Sequence, residues 1–144
     1  MPAQEIRVEK KSFEPILVAS GNLRECGELC KVLNDSSYET VAVHAREQIE
    51  GSVRANGTRV IFIDLDSFSI DNRFIKMFRR RHPDVSIFAI SSRLLHPELQ
   101  ESISTDISAC LRKPVDAEEM LYLLRSIIKK EHGARDSPQN TKEE

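Results

Sequence analysis

Short apolar runs alternate along the chain with longer stretches in which apolar residues recur every three or four positions. Ile16-Leu17-Val18-Ala19 is a continuous apolar run, the pattern of a strand covered on both faces. Leu23, Cys26, Leu29, Cys30 and Leu33 follow at helical spacing, with Asn22 placed to cap that helix. Tyr38 to His44 is rich in β-branched residues and predicts a second strand. Ala45, Ile49 and Val53 form a weaker helical stripe that Asn56-Gly57 should stop. Val60-Ile61-Phe62-Ile63 is the strongest buried-strand signal. Asp71 to His82 then predicts a helix with Phe74, Ile75 and Phe78 inward, ended by Pro83-Asp84.

The second half repeats the alternation. Val85 to Ile90 predicts a strand, Pro97 to Ser104 a short helix started by its proline, and Ile107 to Leu111 a fifth strand. Asp116 to Lys130 predicts a last helix, with Asp116 as cap, Glu118 and Glu119 in the first turn, and Lys129 and Lys130 in the last. Five βα units imply an α/β fold, a doubly wound parallel five-stranded sheet with right-handed crossovers and helices on both faces. Sites in such sheets lie beyond the carboxyl ends of the strands. That rule selects Ser20-Gly21-Asn22, His44, Asp64-Leu65-Asp66, Ser91-Ser92 and Lys113-Pro114. Residues 1–13 and 131–144 lack periodicity and are expected to be polar tails, the second disordered, around one domain at 14–130.

Composition narrows the function. The 144 residues carry 21 Lys and Arg against 23 Asp and Glu, so no charge excess marks nucleic acid or an anionic membrane as the partner. The longest apolar run, Met120 to Leu124, is far too short to cross a bilayer, and the charged N-terminus has no signal-peptide core. Three cysteines, an odd number, suggest free thiols in a reducing compartment, and a cytoplasmic protein is expected.

The strand-end residues resemble the receiver domain of two-component response regulators, a flavodoxin-like (βα)5 fold. Val60-Ile61-Phe62-Ile63-Asp64 resembles the family's third strand, ending in the phospho-accepting aspartate. Ile87-Phe88-Ala89-Ile90-Ser91-Ser92 resembles the fourth, ending in the hydroxyl that bonds the phosphoryl group, and Leu111-Arg112-Lys113-Pro114 the fifth with its Lys-Pro pair. The resemblance spans roughly residues 14–130. It implies Asp64 as nucleophile, Lys113 and Ser91 as phosphoryl-binding groups, a cis Lys113-Pro114 peptide, and Mg²⁺ as cofactor. It also implies a histidine kinase or other signalling protein as partner.

The departures are equally specific. The family's first strand ends in two acids that hold Mg²⁺; Ser20 and Gly21 stand there instead. Mg²⁺ binding is therefore expected to be weak or absent. Asp66, two positions after Asp64, either lends a replacement carboxylate to a metal or repels an incoming phosphoryl group. Cys110 occupies the family's switch position, normally an aromatic that swings inward on activation.

Other residues attract blander explanations. Cys26 and Cys30 are best read as core, the four histidines as surface or loop residues, and Arg79-Arg80-Arg81 as a solvated helix end. Neither a dinucleotide fingerprint nor a P-loop is present, and no enzymatic activity is expected. Two functions remain. One is a stand-alone receiver in a phosphorelay with Asp64 as acceptor. The other is a phosphorylation-independent pseudo-receiver that acts as a protein–protein interaction module. No separate output domain fits in the tails, so output is expected through a partner or a homodimer.

Overall fold

A computed structural model describes residues 14–93 and 96–136. Residues up to Pro114 form one compact unit and those from Val115 a second. The first unit holds a five-stranded parallel sheet: β1 (Ile16–Ala19), β2 (Thr40–Val43), β3 (Val60–Asp64), β4 (Ser86–Ser91) and β5 (Ala109–Arg112), in the order β2-β1-β3-β4-β5. Helices α1 (Leu23–Asp35), α2 (Ile49–Asn56), α3 (Asn72–Arg81) and α4 (Gln100–Thr105) connect the strands, and α5 (Ala117–Asp136) makes up the second unit. This is the flavodoxin-like (βα)5 fold. Its strand order reverses between β1 and β3, which opens a crevice at their carboxyl ends.

The strands alternate as the pleat requires. Leu17, Ala19, Ile61, Ile63, Ile87 and Ala89 share one core with Ile49, Val53, Ile75, Phe78 and Leu99 from the helical connections. The alternate residues Val18, Phe62 and Phe88 are as fully buried on the opposite face, where Phe62 and Phe88 stack with ring centroids 4.7 Å apart. Cys26 of α1 points its thiol at the Val18 carbonyl, as a core residue should.

Local signals explain the helix boundaries. Asn22 accepts the Glu25 amide and Asp71 the Phe74 amide. Gly57 ends α2 in the left-handed region at φ 63°, where a side chain would be strained. Residues Arg79, Arg80 and Arg81 do close α3, and Arg79 is turned back onto the Val85 carbonyl.

Several expectations shift. Leu23 is exposed, because the first helical residue precedes the buried stripe. The helix expected over 97–104 begins as a 3-10 turn, Pro97–Leu99, before α4. The last helix runs past Lys130 to Asp136, through the Gly133 expected to lie in the tail. The rest of the expected tails, 1–13 and 137–144, lies outside the described residues. His82 and His96 lie in loops, as expected, but neither is open to solvent: His82 pairs with Glu50 at 3.1 Å and His96 is buried. Among the described residues, no helix is long and apolar enough to cross a membrane.

Candidate functional site

The carboxyl ends of β1, β3, β4 and β5 bring Ser20, Asp64, Ser91 and Lys113 to one edge. Asp64 is the last residue of β3 and only 3% exposed. Its Oδ2 accepts from the Ser20 hydroxyl at 2.7 Å and from the Ser67 hydroxyl at 2.8 Å. Its Oδ1 accepts the Asp66 amide at 3.0 Å and meets Lys113 Nζ at 3.0 Å. A carboxylate offers about four lone-pair directions, and all are taken.

Lys113 follows β5, and its bond to Pro114 is cis. Its ammonium is the hub of three carboxylates: Glu25 Oε1 at 2.6 Å, Asp64 Oδ1 at 3.0 Å and Asp66 Oδ2 at 3.1 Å. Three donors meet three acceptors, so the ammonium has no hydrogen left for another ligand. Asp66 collects the remaining donors of the site. Its Oδ1 accepts the Ser91 hydroxyl at 3.1 Å, and its Oδ2 also accepts the Ser92 amide at 3.0 Å. Ser91 Oγ in turn accepts the Arg93 amide at 2.9 Å. A hydroxyl, an amide and an ammonium converge on one carboxylate, the donor set of an oxyanion seat.

The electrostatics follow from this wiring. Burial alone would raise the Asp64 carboxyl, but the Ser20 and Ser67 hydroxyls, Lys113 and the Asp66 amide together hold it below the ordinary aspartate value. Asp66 is lowered in the same way, against burial, by Ser92, Lys113 and Ser91. Burial would lower Lys113, but Glu25, Asp64 and Asp66 raise it above the ordinary lysine value.

Glu25, Asp64 and Asp66 are closed onto the Lys113 ammonium at hydrogen-bond distance, where a metal cation would have to take its place. Gly21 contributes to this closure. A Cβ there would come within 3.2 Å of Ser67 Cβ, so the glycine leaves room for Ser67 where it bonds Asp64.

Asp64 is paired with Lys113 and bonded by Ser20, while Ser91 serves Asp66. Glu25 and Ser67 were not anticipated. Ser67 lies three residues past Asp64, and Glu25 one helical turn past Gly21, and those spacings were the only signals of them in the sequence. Cys110 stands apart from this cluster, on β5 beside Ala89 of β4.

No protein-family model matches the sequence, and a comparison with curated proteins finds no match. Solved structures do match. A CheY-like response regulator receiver domain protein from Methanospirillum hungatei aligns with a TM-score of 0.74 at 12% identity, covering 84% of this chain and 98% of its own. The signal receiver domain of a LuxO repressor protein from Vibrio parahaemolyticus aligns with a TM-score of 0.76 at 11% identity, covering 88% and 98%. The chain has the receiver-domain fold. A pilus assembly protein from Burkholderia thailandensis is also similar to this receiver fold, with a TM-score of 0.67 at 19% identity over 80% of this chain and 98% of its own.

Proposed function

We propose that the chain is a receiver-like signalling module that works as a phosphorylation-independent protein–protein interaction domain. The observation that carries this reading is the state of Asp64: buried, with both oxygens fully engaged. A nucleophile needs a free lone pair directed at phosphorus. Here one would appear only after a bond to Ser20, Ser67, Lys113 or the Asp66 amide breaks. An arriving phosphoryl group would also meet a filled seat, because Asp66 already holds the Ser91 hydroxyl and Lys113. The carboxylates of Glu25, Asp64 and Asp66 outnumber the ammonium, and the cluster repels a further anion.

Mg²⁺ binding at this cluster is weak or absent on the same reading, since a cation must displace the Lys113 ammonium. The fold itself is neutral on function: structures similar to this chain include regulator receiver domains and a pilus assembly protein. The partner is a histidine kinase, another signalling protein or a second copy. A phosphorelay with Asp64 as acceptor is the second reading. It is favoured by the convergence of Asp64, Ser91 and Lys113 on one sheet edge.

The two readings separate in one experiment. The protein is incubated with a small phosphodonor and Mg²⁺ and its intact mass is measured. No phosphoryl adduct is expected. An adduct that disappears in Asp64→Asn overturns the proposal in favour of the phosphorelay.

A further inference from the structure

Cys110 is one of the small walls of a cavity of about 300 Å³ between α4 and the β4–β5 edge. Leu65, Ala89, Ile103 and Leu111 form its other apolar walls. That volume is at the small end of the ~300–1,000 Å³ range of ligand pockets. It suits one aromatic side chain better than a cofactor. Two arginines line its mouth. Arg112 is exposed and pairs with no acid among the described residues, while Arg93 is held by the half-exposed Glu98 at 2.8 Å. A surface pair of that kind exchanges for another carboxylate at little cost. His96, also in the wall, is only 6% exposed on its side chain, and its Nδ1 has no hydrogen-bond partner; Glu98 at 3.9 Å is too far. A buried ring nitrogen left unpaired is the kind of group an incoming ligand satisfies.

We infer that this cavity is the docking pocket of the module, and that it receives an aromatic side chain from an acidic segment of a partner protein. The inference rests on the interaction-module reading and names its surface. The ring fills the space Cys110 leaves, and the flanking carboxylates meet Arg93 and Arg112. A buried aromatic anchor with a charged rim is the common arrangement of an interface hot spot. A second copy fits less well. The chain's own exposed aromatic, Tyr122 at 65%, has Glu118 and Glu119 on its face but also Arg125, which would oppose the two arginines.

The test is selection of a random peptide library on the immobilised full chain, followed by titration of the enriched peptides. The expected result is enrichment of peptides with an aromatic residue next to Asp or Glu. Their affinity should fall tenfold or more in Cys110→Tyr, which fills the cavity, and persist in Cys110→Ser, which does not. Arg112→Glu, at an exposed position, should weaken the same peptides without touching the fold. No enrichment of such peptides, or equal binding to Cys110→Tyr and Arg112→Glu, overturns the inference. So does concentration-dependent dimerisation lost in both Tyr122→Ala and Cys110→Tyr, which would assign the pocket to a second copy. The phosphodonor experiment reads Asp64 alone, so failure of the function proposal and failure of this pocket are distinguishable.

Discussion

The state of Asp64 depends on who its neighbours are. Two acids at the end of β1 would crowd it and leave its charge unpaired; Ser20 and Gly21 instead supply a hydroxyl and an absence. Ser20 bonds directly, and Gly21 makes room for Ser67. Lys113 then becomes the counter-charge for three carboxylates, two of them mostly buried. Lys113→Ala should leave Asp64 buried without its counter-charge and destabilise the fold by about 2–3 kcal/mol, read as a lower urea midpoint. An unchanged midpoint would show that the pair contributes nothing net. The same wiring sets a pH dependence. Asp64 and Asp66 are depressed in the folded protein, so their contribution is full above the ordinary aspartate range of about 4 and is lost as pH falls through their lower folded values. Stability should therefore decline on acidification below about pH 4, and Asp64→Asn should flatten that decline. Thermal melts from neutral to acid pH in the two proteins check it. The identities of Asp64, Ser91 and Lys113 were legible in the sequence. Their partners were not, because Glu25 and Lys113 meet across 88 positions and nothing local records such a meeting.

At the scale of elements, the features that act within one turn were the ones the sequence announced. Asn22, Asp71 and Gly57 each settle a helix end through a bond or a backbone angle of their own. The apolar runs at Ile16 and Val60 are unambiguous because both faces of β1 and β3 are covered. Boundaries that depend on distant packing drifted: β5 begins at Ala109 rather than Ile107, whose amide bonds back to the Ser102 carbonyl. The last helix continues through Gly133 because one glycine costs only about 1 kcal/mol in a long helix, less than a stop requires. Asp71 offers a direct check on the local account. Its side chain satisfies an orphan amide at the start of α3, and Asp71→Ala should cost about 1 kcal/mol in chemical denaturation, with the spectrum of the folded state otherwise preserved.

At the scale of the molecule, the question is whether the acid cluster and the cavity beside Cys110 can speak to each other. A ligand shifts a conformational equilibrium only by the difference in its affinity for the two states. On the proposed reading, the two moves of a receiver switch are both blunted. The Ser91 hydroxyl is already drawn to Asp66, so charge added or removed at Asp64 does not recruit it afresh. Cys110 carries a thiol where a moving ring would be needed to reshape the surface, and its cavity is open in the state described. Neutralising Asp64 also leaves Lys113 held by Glu25 and Asp66, so the hub should stay in place. Asp64→Asn is therefore expected to act locally. In amide NMR spectra its shift changes should centre on Ser20, Asp66, Ser67 and Lys113, and the signals of Ile103 and Cys110 should stay where they are. The affinity of pocket-binding peptides should change by less than tenfold, about 1.4 kcal/mol. Large shifts at Ile103 and Cys110, with a matching change in peptide affinity, would mean that the cluster drives the pocket and that the module is a working switch after all.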